Sequence, residues 1–150
     1  MEKEINGSAC TLAMACDHAG FPLKEELKRW LEAQGYTIVD CGTNSTESVD
    51  YPVYADRLAE ALKGGKAPLG IAICGTGNGI SMALNRHHGV RAALCWQPEL
   101  ATLARQHNNA NVLSLAGRFI PFEQAKTIVQ AFLAGAFEGG RHQRRLSLFD

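Results

Sequence analysis

The sequence predicts an α/β fold, a single-domain, Rossmann-like three-layer sandwich in which a five-stranded parallel sheet has helices on both faces. Two observations indicate this fold. Five short apolar segments alternate with segments of helical periodicity over short connections, as in parallel sheets. The chain also has 150 residues, of which 46% are hydrophobic, which is enough for one well-buried core. We therefore expect one domain over residues 11–150, after a polar leader at residues 1–10.

Short apolar runs predict the strands, at residues 11–16, 36–40, 69–74, 90–95 and 111–116. Helical spacing of apolar residues predicts the helices between them. The first helix, over residues 21–34, has Leu23 and Leu27 on one face, Pro22 in its first turn and Gly35 at its end. The other helices are expected from Tyr51 to Gly64, from Ile80, over residues 98–106 and over residues 121–133. The tail, residues 135–150, is expected to leave the body.

Charge and cysteine usage exclude several classes of protein. Lys and Arg number 15, as do Asp and Glu, so charge gives no reason to expect nucleic acid or an anionic membrane as a partner. The five cysteines include no C-x-x-C pair, which argues against a disulfide framework or a zinc site and fits a reducing cytosol. The polar start is unlike a signal peptide, and no apolar run reaches the ~18–20 residues of a membrane span. The sequence thus predicts a cytoplasmic protein.

The most informative stretch is LGIAICGTGNGIS, residues 69–81, where a buried strand runs into a glycine loop and a helix. Alternating glycines allow backbone amides to crowd around an anionic oxygen at the helix N-terminus, where the partial positive charge lies. Cys74 ends the strand beside this loop, in a setting that favours a thiolate. The ordinary alternative is a flexible loop after a buried small residue. The spacing matches neither the dinucleotide motif nor the P-loop.

Other polar residues also follow predicted strands. Asp17 and His18 follow the first strand, Tyr51 follows the loop after the second, and Arg118 follows the fifth. Ligands of open parallel sheets bind beyond the carboxyl ends of the strands, so we expect these residues and Cys74 to share one edge. Taken alone, Asp17 is as readily a helix N-cap and Arg118 a surface charge.

Further candidates lie in the second half of the chain. His107 closes a predicted helix, where a cation is also favoured by the helix C-terminus. Arg141 and Arg145 share a face if the tail is helical, and a phosphate monoester is the natural anion to lie between two guanidiniums. A solvated basic tail is the alternative. Adjacent His87 and His88 do not converge on a metal, and we predict no metal site.

These residues together favour one class of chemistry. A base, an anion-stabilising loop and phosphate-binding arginines suit proton abstraction next to the carbonyl of a small phosphorylated substrate. The sequence has no Ser-His-Asp signature and no nucleotide motif, so no cofactor is expected. The cysteines in or beside other strands, Cys16, Cys41 and Cys95, are expected to serve packing.

Five motifs occur in an order that resembles one family. They are Cys16-Asp17-His18-Ala19-Gly20, Asp50-Tyr51-Pro52, ICGTGNGIS at residues 73–81, Arg105-Gln106-His107-Asn108 and Glu138-Gly139-Gly140-Arg141-His142. Together they resemble the type B ribose-5-phosphate isomerases and the related galactose-6-phosphate and allose-6-phosphate isomerases. One branch of this family has a glutamate base where this chain has Ile80. Because Cys74 is present, the chain resembles the cysteine branch.

The resemblance implies a metal-free aldose–ketose isomerase that interconverts ribose 5-phosphate and ribulose 5-phosphate through a cis-enediolate. It also implies a homodimer, or a dimer of dimers, whose active sites are shared between subunits, with a C-terminal tail or helix that reaches the partner. No cofactor, nucleic acid or membrane is implied.

The resemblance assigns roles by position. Cys74 would be the base that moves a proton between C2 and C1, and His107, with Asp17, would open the furanose ring. Thr76 and the loop amides would hold the enediolate oxygens. The loop positions expected to line the substrate are Gly75, Gly77, Asn78 and Gly79. The expected phosphate ligands are His18, Arg118, Arg141 and Arg145, and the expected sugar contacts are Tyr51 and Asn108.

Two alternatives stay open. The same chemistry on a hexose 6-phosphate, such as allose or galactose 6-phosphate, needs more room beside Tyr51 and Asn108. The second alternative is a non-catalytic, flavodoxin-like binding module. A receiver-type regulator with this fold would need a phosphoacceptor Asp at the position of Cys74. A flavin-binding module would need a phosphate-binding loop after the first strand, where residues 17–20 form only a short turn.

Overall fold

The structure, a computed structural model, describes residues 11–149. Its strands are β1 (Thr11–Cys16), β2 (Thr37–Asp40), β3 (Leu69–Cys74), β4 (Ala92–Leu94) and β5 (Val112–Ala116). Its helices are α1 (Phe21–Ala33), α2 (Tyr51–Lys63), α3 (Asn78–Asn85), α4 (Pro98–Asn108), α5 (Phe122–Ala134) and α6 (Arg141–Leu146). The predicted leader, residues 1–10, lies outside the described residues.

The strands form one sheet in the order β2-β1-β3-β5-β4, and every pairing is parallel. This confirms the predicted five-stranded parallel sheet. The register sets Cys16 beside Ile73 and Cys74 beside Ala116, so β1, β3 and β5 end at one level. The chain moves outward from β1 to β2 and then returns to place β3 on the other side of β1. A crevice therefore opens beyond the carboxyl ends of β1 and β3.

Helices cover both faces of the sheet, as predicted for a three-layer sandwich. Buried side chains of α1, α4 and α5 pack on one face and include Leu27, Ala104 and Ile128. Buried side chains of α2 and α3 pack on the other and include Leu58 and Leu84. Because side chains alternate along a strand, successive residues of β3 serve the two cores in turn.

Several element boundaries differ by one or two residues from the sequence-based expectation, and two of the differences have a visible local cause. β4 is shorter than residues 90–95, because the N–H of Val90 donates to the His87 carbonyl (3.1 Å) in the turn after α3. α3 begins at Asn78, before the expected Ile80, because Gly77 (φ 81°) makes a left-handed turn into it. Such a turn favours glycine.

The tail returns to the body, so the prediction that it leaves the body is wrong. The N–H of Glu138 donates to the carbonyl of Gln106 at the end of α4 (3.0 Å). One turn later the ring of His142 stacks on that of His107, with ring centroids 4.1 Å apart. These contacts hold α6 against the last turn of α4.

Among the described residues, none of the helices combines the length and the apolarity that crossing a membrane would need.

An ion pair between a buried lysine and a partly buried aspartate joins α1 to the end of β2. Lys24 is fully buried, and its Nζ donates to both carboxylate oxygens of Asp40 (2.8 and 2.9 Å). Asp40 also accepts from Lys28 and from the N–H of Gly42. Burial acts to raise the pKa of Asp40, but the hydrogen bonds from Lys24, Gly42 and Lys28 outweigh it and hold that pKa below its ordinary value. The pair thus anchors the start of the loop that leads to Tyr51.

We expect Asp40→Asn to destabilise the protein at neutral pH by up to roughly 3 kcal/mol, because Lys24 would stay buried without its main counter-charge. The lowered pKa of Asp40 gives stability that is present above the unfolded pKa of ~4 and is lost as pH falls through the folded value. Urea unfolding at neutral and acidic pH should show the difference between parent and variant shrinking on acidification.

Glu123→Gln is the matched control, because Glu123 forms an exposed ion pair with Lys126 on α5 (3.2 Å). Removing it should cost under ~1 kcal/mol at any pH. If Asp40→Asn costs no more than this control, the buried pair does not stabilise the fold.

Candidate active site

The carboxyl ends of β1, β3 and β5 are joined by backbone hydrogen bonds. The N–H of Asp17 donates to the carbonyl of Ile73 (3.2 Å). The N–H of Gly117 donates to the carbonyl of Cys74 (2.8 Å), and that of Arg118 to the carbonyl of Gly75 (3.1 Å). The loops after the three strands therefore form one continuous edge, as the sequence predicts.

Close backbone approach at this edge requires glycine. A Cβ built on Gly20 would lie 2.4 Å from the carbonyl oxygen of Ile73, and one on Gly117 would lie 3.0 Å from Cγ2 of the same residue. Real side chains do not approach backbone as closely as at position 20, so that position must lack a side chain, while Gly117 has little room between Ile73 and the backbone of Gly20 and Ala19. The loop carrying Asp17 and His18 is thereby pressed against the end of β3.

Cys74 is the last residue of β3 and is buried, with 4% of its surface exposed. Its side chain belongs to the core on the α2 and α3 face, with Ile80 of the first turn of α3 in the same cluster. Burial raises the pKa of the Cys16 thiol to about 12 and that of the Cys95 thiol to about 11. Those two thiols stay protonated in the opposite core, in line with the packing role predicted for them.

The loop after Cys74 is built to present backbone amides. Oγ1 of Thr76 accepts from the N–H of Asn78 (3.2 Å), and the Ser81 hydroxyl donates to the carbonyl of Gly77 (2.7 Å). These bonds fix the turn that starts α3. The N–H groups of a first helical turn have no partner within the helix, and they carry the positive end of its dipole. The edge beside Cys74 is therefore suited to an anionic oxygen.

Tyr51 lies over the first turn of α3. A Cβ built on Gly79 would lie 2.5 Å from Cζ of the Tyr51 ring and 2.7 Å from its hydroxyl oxygen. Glycine at position 79 therefore allows the phenol, which is 37% exposed, to approach the loop. The predicted sugar contact Tyr51 and the predicted loop residue Gly79 thus meet.

Asp17 and His18 are both held by backbone groups. Oδ1 of Asp17 accepts from the N–H groups of Ala19 and Gly20 (3.0 and 3.1 Å) in the turn before α1. The N-cap of α1 is Gly20, so Asp17 is not the helix cap considered for it from sequence. Nδ1 of His18 accepts from the N–H of Val49 (3.1 Å), so a neutral His18 ring carries its proton on Nε2. The ring is thereby oriented with a donor available to a ligand.

Arg118 extends over the glycine loop. A Cβ built on Gly75 would lie 3.6 Å from Nη1 and 3.7 Å from Cδ of Arg118. The exposed guanidinium therefore lies next to the anion-stabilising loop, and its backbone is tied there by the bond to Gly75.

His107 and Asn108 lie at the other edge of the sheet. α4 starts beyond the carboxyl end of β4, and its 11 residues give a length of about 16 Å. Its last residues therefore reach the amino edge, where Asn111 leads into β5 and accepts from the N–H of Gly70 at the start of β3 (2.9 Å). Within one chain, these two residues are separated from Cys74 by about the length of the sheet.

Arg141 and Arg145 lie beside this second group. Both are exposed on α6, one turn apart, as their spacing predicts for a helical tail. His142 lies between them in sequence but is 7% exposed and stacks on His107. The arginines therefore flank the end of α4, away from Arg118.

Two predicted associations do not form within a single chain. Asp17 is not brought to His107, because the two lie at opposite edges of the sheet. Arg141 and Arg145 likewise do not join His18 at one phosphate site. Each group is locally well formed, but one chain does not assemble both.

Sequence reasoning missed two neighbours of His107. Oε1 of Glu138 lies 3.8 Å from Nε2 of His107 and 3.6 Å from Nε2 of His142. The spacing of Glu138 and His142, four residues apart, was a signal, but only the return of the tail onto α4 brings both to His107.

Comparison with known proteins places the chain in a family. The profile of the family described as Ribose/Galactose Isomerase matches residues 12–149. Ribose-5-phosphate isomerase B of Escherichia coli strain K12 is 49% identical over 135 residues, which cover 90% of this chain and 91% of that protein. The probable ribose-5-phosphate isomerase B of Mycoplasma pneumoniae is 44% identical over 134 residues, 89% of this chain and 88% of that protein.

Solved structures agree with the sequence relatives. A ribose 5-phosphate isomerase from Thermotoga maritima superposes with a TM-score of 0.92 at 50% identity, over 93% of this chain and 97% of that one. A ribose-5-phosphate isomerase B from Mycoplasma genitalium with bound ribulose 5-phosphate gives a TM-score of 0.86 at 44% identity, over 91% of each chain. With a family match over residues 12–149 and relatives at 44–50% identity, this chain belongs to the Ribose/Galactose Isomerase family.

Proposed function

We propose that this protein is an aldose–ketose isomerase that interconverts ribose 5-phosphate and ribulose 5-phosphate. The observation that carries the proposal is the placement of Cys74 at the end of β3, beside the first turn of α3, over which the Tyr51 ring lies. This arrangement sets a base, an anion-stabilising loop and a sugar contact side by side. Family relatives that carry the ribose-5-phosphate isomerase name, one of them with ribulose 5-phosphate bound, support the choice of substrate.

Cys74 is the base in the proposed reaction. Its thiolate removes the proton from C2 of the open-chain aldose, and the electron pair forms the C1–C2 double bond of an enediolate. The amides of the glycine loop and the Thr76 hydroxyl stabilise the negative oxygens. The thiol then returns a proton to C1, the hydroxyl proton passes from the C2 oxygen to the C1 oxygen, the C2 oxygen becomes the carbonyl, and the thiolate is restored. No electron leaves the substrate, so no redox cofactor takes part.

Ring opening and phosphate binding use residues from two subunits. His107 of the partner subunit, with Asp17, opens the furanose before proton transfer. An imidazole suits this step, since an unperturbed ring titrates near working pH. His18 and Arg118 bind the phosphate from one chain. The partner's Arg141 and the partner's Arg145 neutralise the remaining charge of the phosphate through charge-assisted hydrogen bonds. Asn108 of the partner subunit contacts the sugar beside Tyr51.

The division of site residues between two sheet edges supports a homodimer with shared sites. A two-fold axis brings the end of α4 of each copy to the crevice of the other copy. Two complete sites therefore form together. Apolar residues near the second group are exposed and suited to such an interface: Leu103 (43%), Leu148 (80%) and Phe149 (64%). A dimer of dimers is compatible with the same contact. We place the protein in the cytoplasm, as its cysteine usage suggests.

Cys74→Ala should leave the fold intact and lower kcat for ribose 5-phosphate by about 10²–10⁴-fold, because the proton at C2 loses its base. The measurement is turnover on ribose 5-phosphate, allose 6-phosphate and galactose 6-phosphate in parallel. We expect the parent protein to prefer the pentose phosphate. Cys41→Ala, which removes a partly exposed thiol at the end of β2, should keep parental activity. A preference for a hexose phosphate would contradict the proposed substrate. A folded Cys74→Ala variant that stays active would rule out Cys74 as the base.

His107→Asn should slow ribose 5-phosphate turnover far more than proton exchange on ribulose 5-phosphate, which cannot form a furanose and needs no opening. The measurement is solvent-hydrogen exchange at the transferred position, started from each sugar, because the overall equilibrium ties the net rates together. His87→Asn, which alters a surface histidine paired with Asp56 (2.8 Å), should change neither rate. Equal losses from both sides would assign His107 to proton transfer or to the fold.

Mixed dimers test the sharing of sites. In a heterodimer of Cys74→Ala and His107→Asn chains, one site carries both substitutions and the other carries none. Random mixing should therefore restore about a quarter of the parental activity, although each variant alone is nearly inactive. The measurement is activity after co-refolding the two chains, with each variant refolded alone as control. No recovery despite heterodimer formation would mean that each site is built from one chain.

A further inference from the structure

Two side chains of the returning tail contact the ring of His107. The ring of His142 stacks on it, with centroids 4.1 Å apart and planes 11° from parallel. Oε1 of Glu138 lies 3.8 Å from Nε2 of His107 and 3.6 Å from Nε2 of His142. Because the rings are nearly parallel and the two distances are similar, the carboxylate lies at the edge of the stack. One neighbour therefore covers a face of the His107 ring, and the other lies at its nitrogen edge.

The stack restrains the plane of the His107 ring. The last side-chain torsion of a histidine is broad, so a histidine at a helix end has no fixed ring plane by itself. The centroid distance of 4.1 Å is below the ~4.5–7 Å that is usual for aromatic pairs, so the two faces are in contact. Rotation about Cβ–Cγ would turn the edge of His107 into the His142 ring. The contact therefore fixes the plane in which both nitrogens of His107 lie.

The restraining ring is itself held in place. His142 is buried, with 7% of its surface exposed, and its N–H donates to the carbonyl of Gly139 (3.1 Å). The N–H of Glu138 donates to the carbonyl of Gln106 (3.0 Å), the residue before His107 in α4. The tail is thus tied to the backbone of the helix whose last turn it covers, so the stack does not depend on a flexible connection.

Glu138 acts on the nitrogen edge through charge. Direct hydrogen bonds need about 2.7–3.2 Å between the heavy atoms, and both distances from Oε1 are longer than this. The carboxylate therefore attracts an N–H edge without engaging its proton. Rotation of that edge away from Glu138 is opposed, while the proton or lone pair of His107 stays available to a ligand.

His142 presents a neutral face to His107. Burial lowers the pKa of His142, and the positive charges of His107 and Arg141 lower it further. Arg145 acts in the same direction, whereas the Glu138 carboxylate opposes it. Nε2 of His142 has no hydrogen-bond partner in the part of the chain that the structure describes. A neutral ring can lie against His107 without charge repulsion, whether or not His107 is protonated.

We propose that His142 and Glu138 are positioning residues for ring opening: His142 fixes the plane of the His107 ring, and Glu138 fixes the direction of its nitrogen edge. The inference rests on the ring-opening role proposed for His107. Both residues act through His107 and not on the sugar itself.

The ring-opening step shows why orientation matters. The C1 hydroxyl loses a proton and becomes the carbonyl, the bond from C1 to the ring oxygen breaks, and that oxygen gains a proton. A catalytic group must lie within hydrogen-bond reach of the proton that it moves. A His107 ring turned out of its plane loses that reach, although the residue is still present.

Proton exchange started from each sugar separates orientation from support of the phosphate-binding helix. Loosening of α6 weakens phosphate binding for both sugars, as Arg141→Ala should, and raises both KM values together. Loss of ring orientation slows only the sugar that must open. At saturating substrate, we expect His142→Ala to slow exchange from ribose 5-phosphate by roughly 10–100-fold, because a misplaced catalytic group loses most of its effect. Exchange from ribulose 5-phosphate should keep its parental rate.

Three further kinds of variant complete the test. His142→Phe keeps a flat ring and removes a buried polar atom that lacks a partner, so it should fold and restore most of the exchange from ribose 5-phosphate. Glu138 is exposed, so Glu138→Gln will fold even if His142→Ala does not, and it should slow the same exchange selectively. Glu123→Gln and His87→Ala remove a carboxylate and an imidazole elsewhere on the surface and should match the parent.

Histidine NMR measures the stack without activity. The ring current of His142 should move the ring-proton signals of His107 upfield, and His142→Ala should remove this shift. His107→Asn assigns the signals. Absence of the shift in the parent, or equal slowing of both exchanges in His142→Ala or Glu138→Gln, would overturn the positioning role in an active enzyme. A His142→Phe variant that folds but restores nothing would overturn the role of the ring face. A parent that exchanges neither sugar would overturn the proposed function, and the positioning role with it.

Discussion

The candidate site depends on one steric constraint, the contact between the loop after β1 and the end of β3. Gly20 lies against the backbone of Ile73 so closely that no side chain fits, and Gly117 approaches the same residue from β5. Three strand ends are thereby drawn together, and backbone hydrogen bonds close the gaps between them. This contact fixes the position of Cys74 and of the loops that carry His18 and Arg118.

Local sequence signals predicted most of the fold because they act over a few residues. Pro22 in the first turn of α1 and the glycines after α2 mark helix ends that need no distant partner. Strand order is different, since β5 enters between β3 and β4 and no local pattern encodes that insertion. The short β4 also depends on a distant residue. Just before this strand, the N–H of Arg91 donates to the side-chain oxygen of Asn111 (2.7 Å).

The same distinction between local sequence signals and distant contacts applies to the candidate site. Asp17, His18, Cys74 and Arg118 follow strands, so a parallel sheet is enough to predict that they share an edge. The position of His107 depends instead on the length of α4, which carries it to the opposite edge. His142 and Glu138 depend on a tail that turns back on itself, and helical spacing alone does not indicate what a short surface helix will face.

The contrast between β3 and α6 gives the two halves of the proposed catalytic machinery different supports. Cys74 is set by the central strand of the sheet, which is buried along its whole length. Arg141 and Arg145 are set by a six-residue helix, too short to be stable by itself in water. That helix keeps its place through the contacts of Glu138 and His142 with the end of α4. In the proposed shared site, a change at those contacts would therefore act on phosphate binding and leave the proton-transferring base in place.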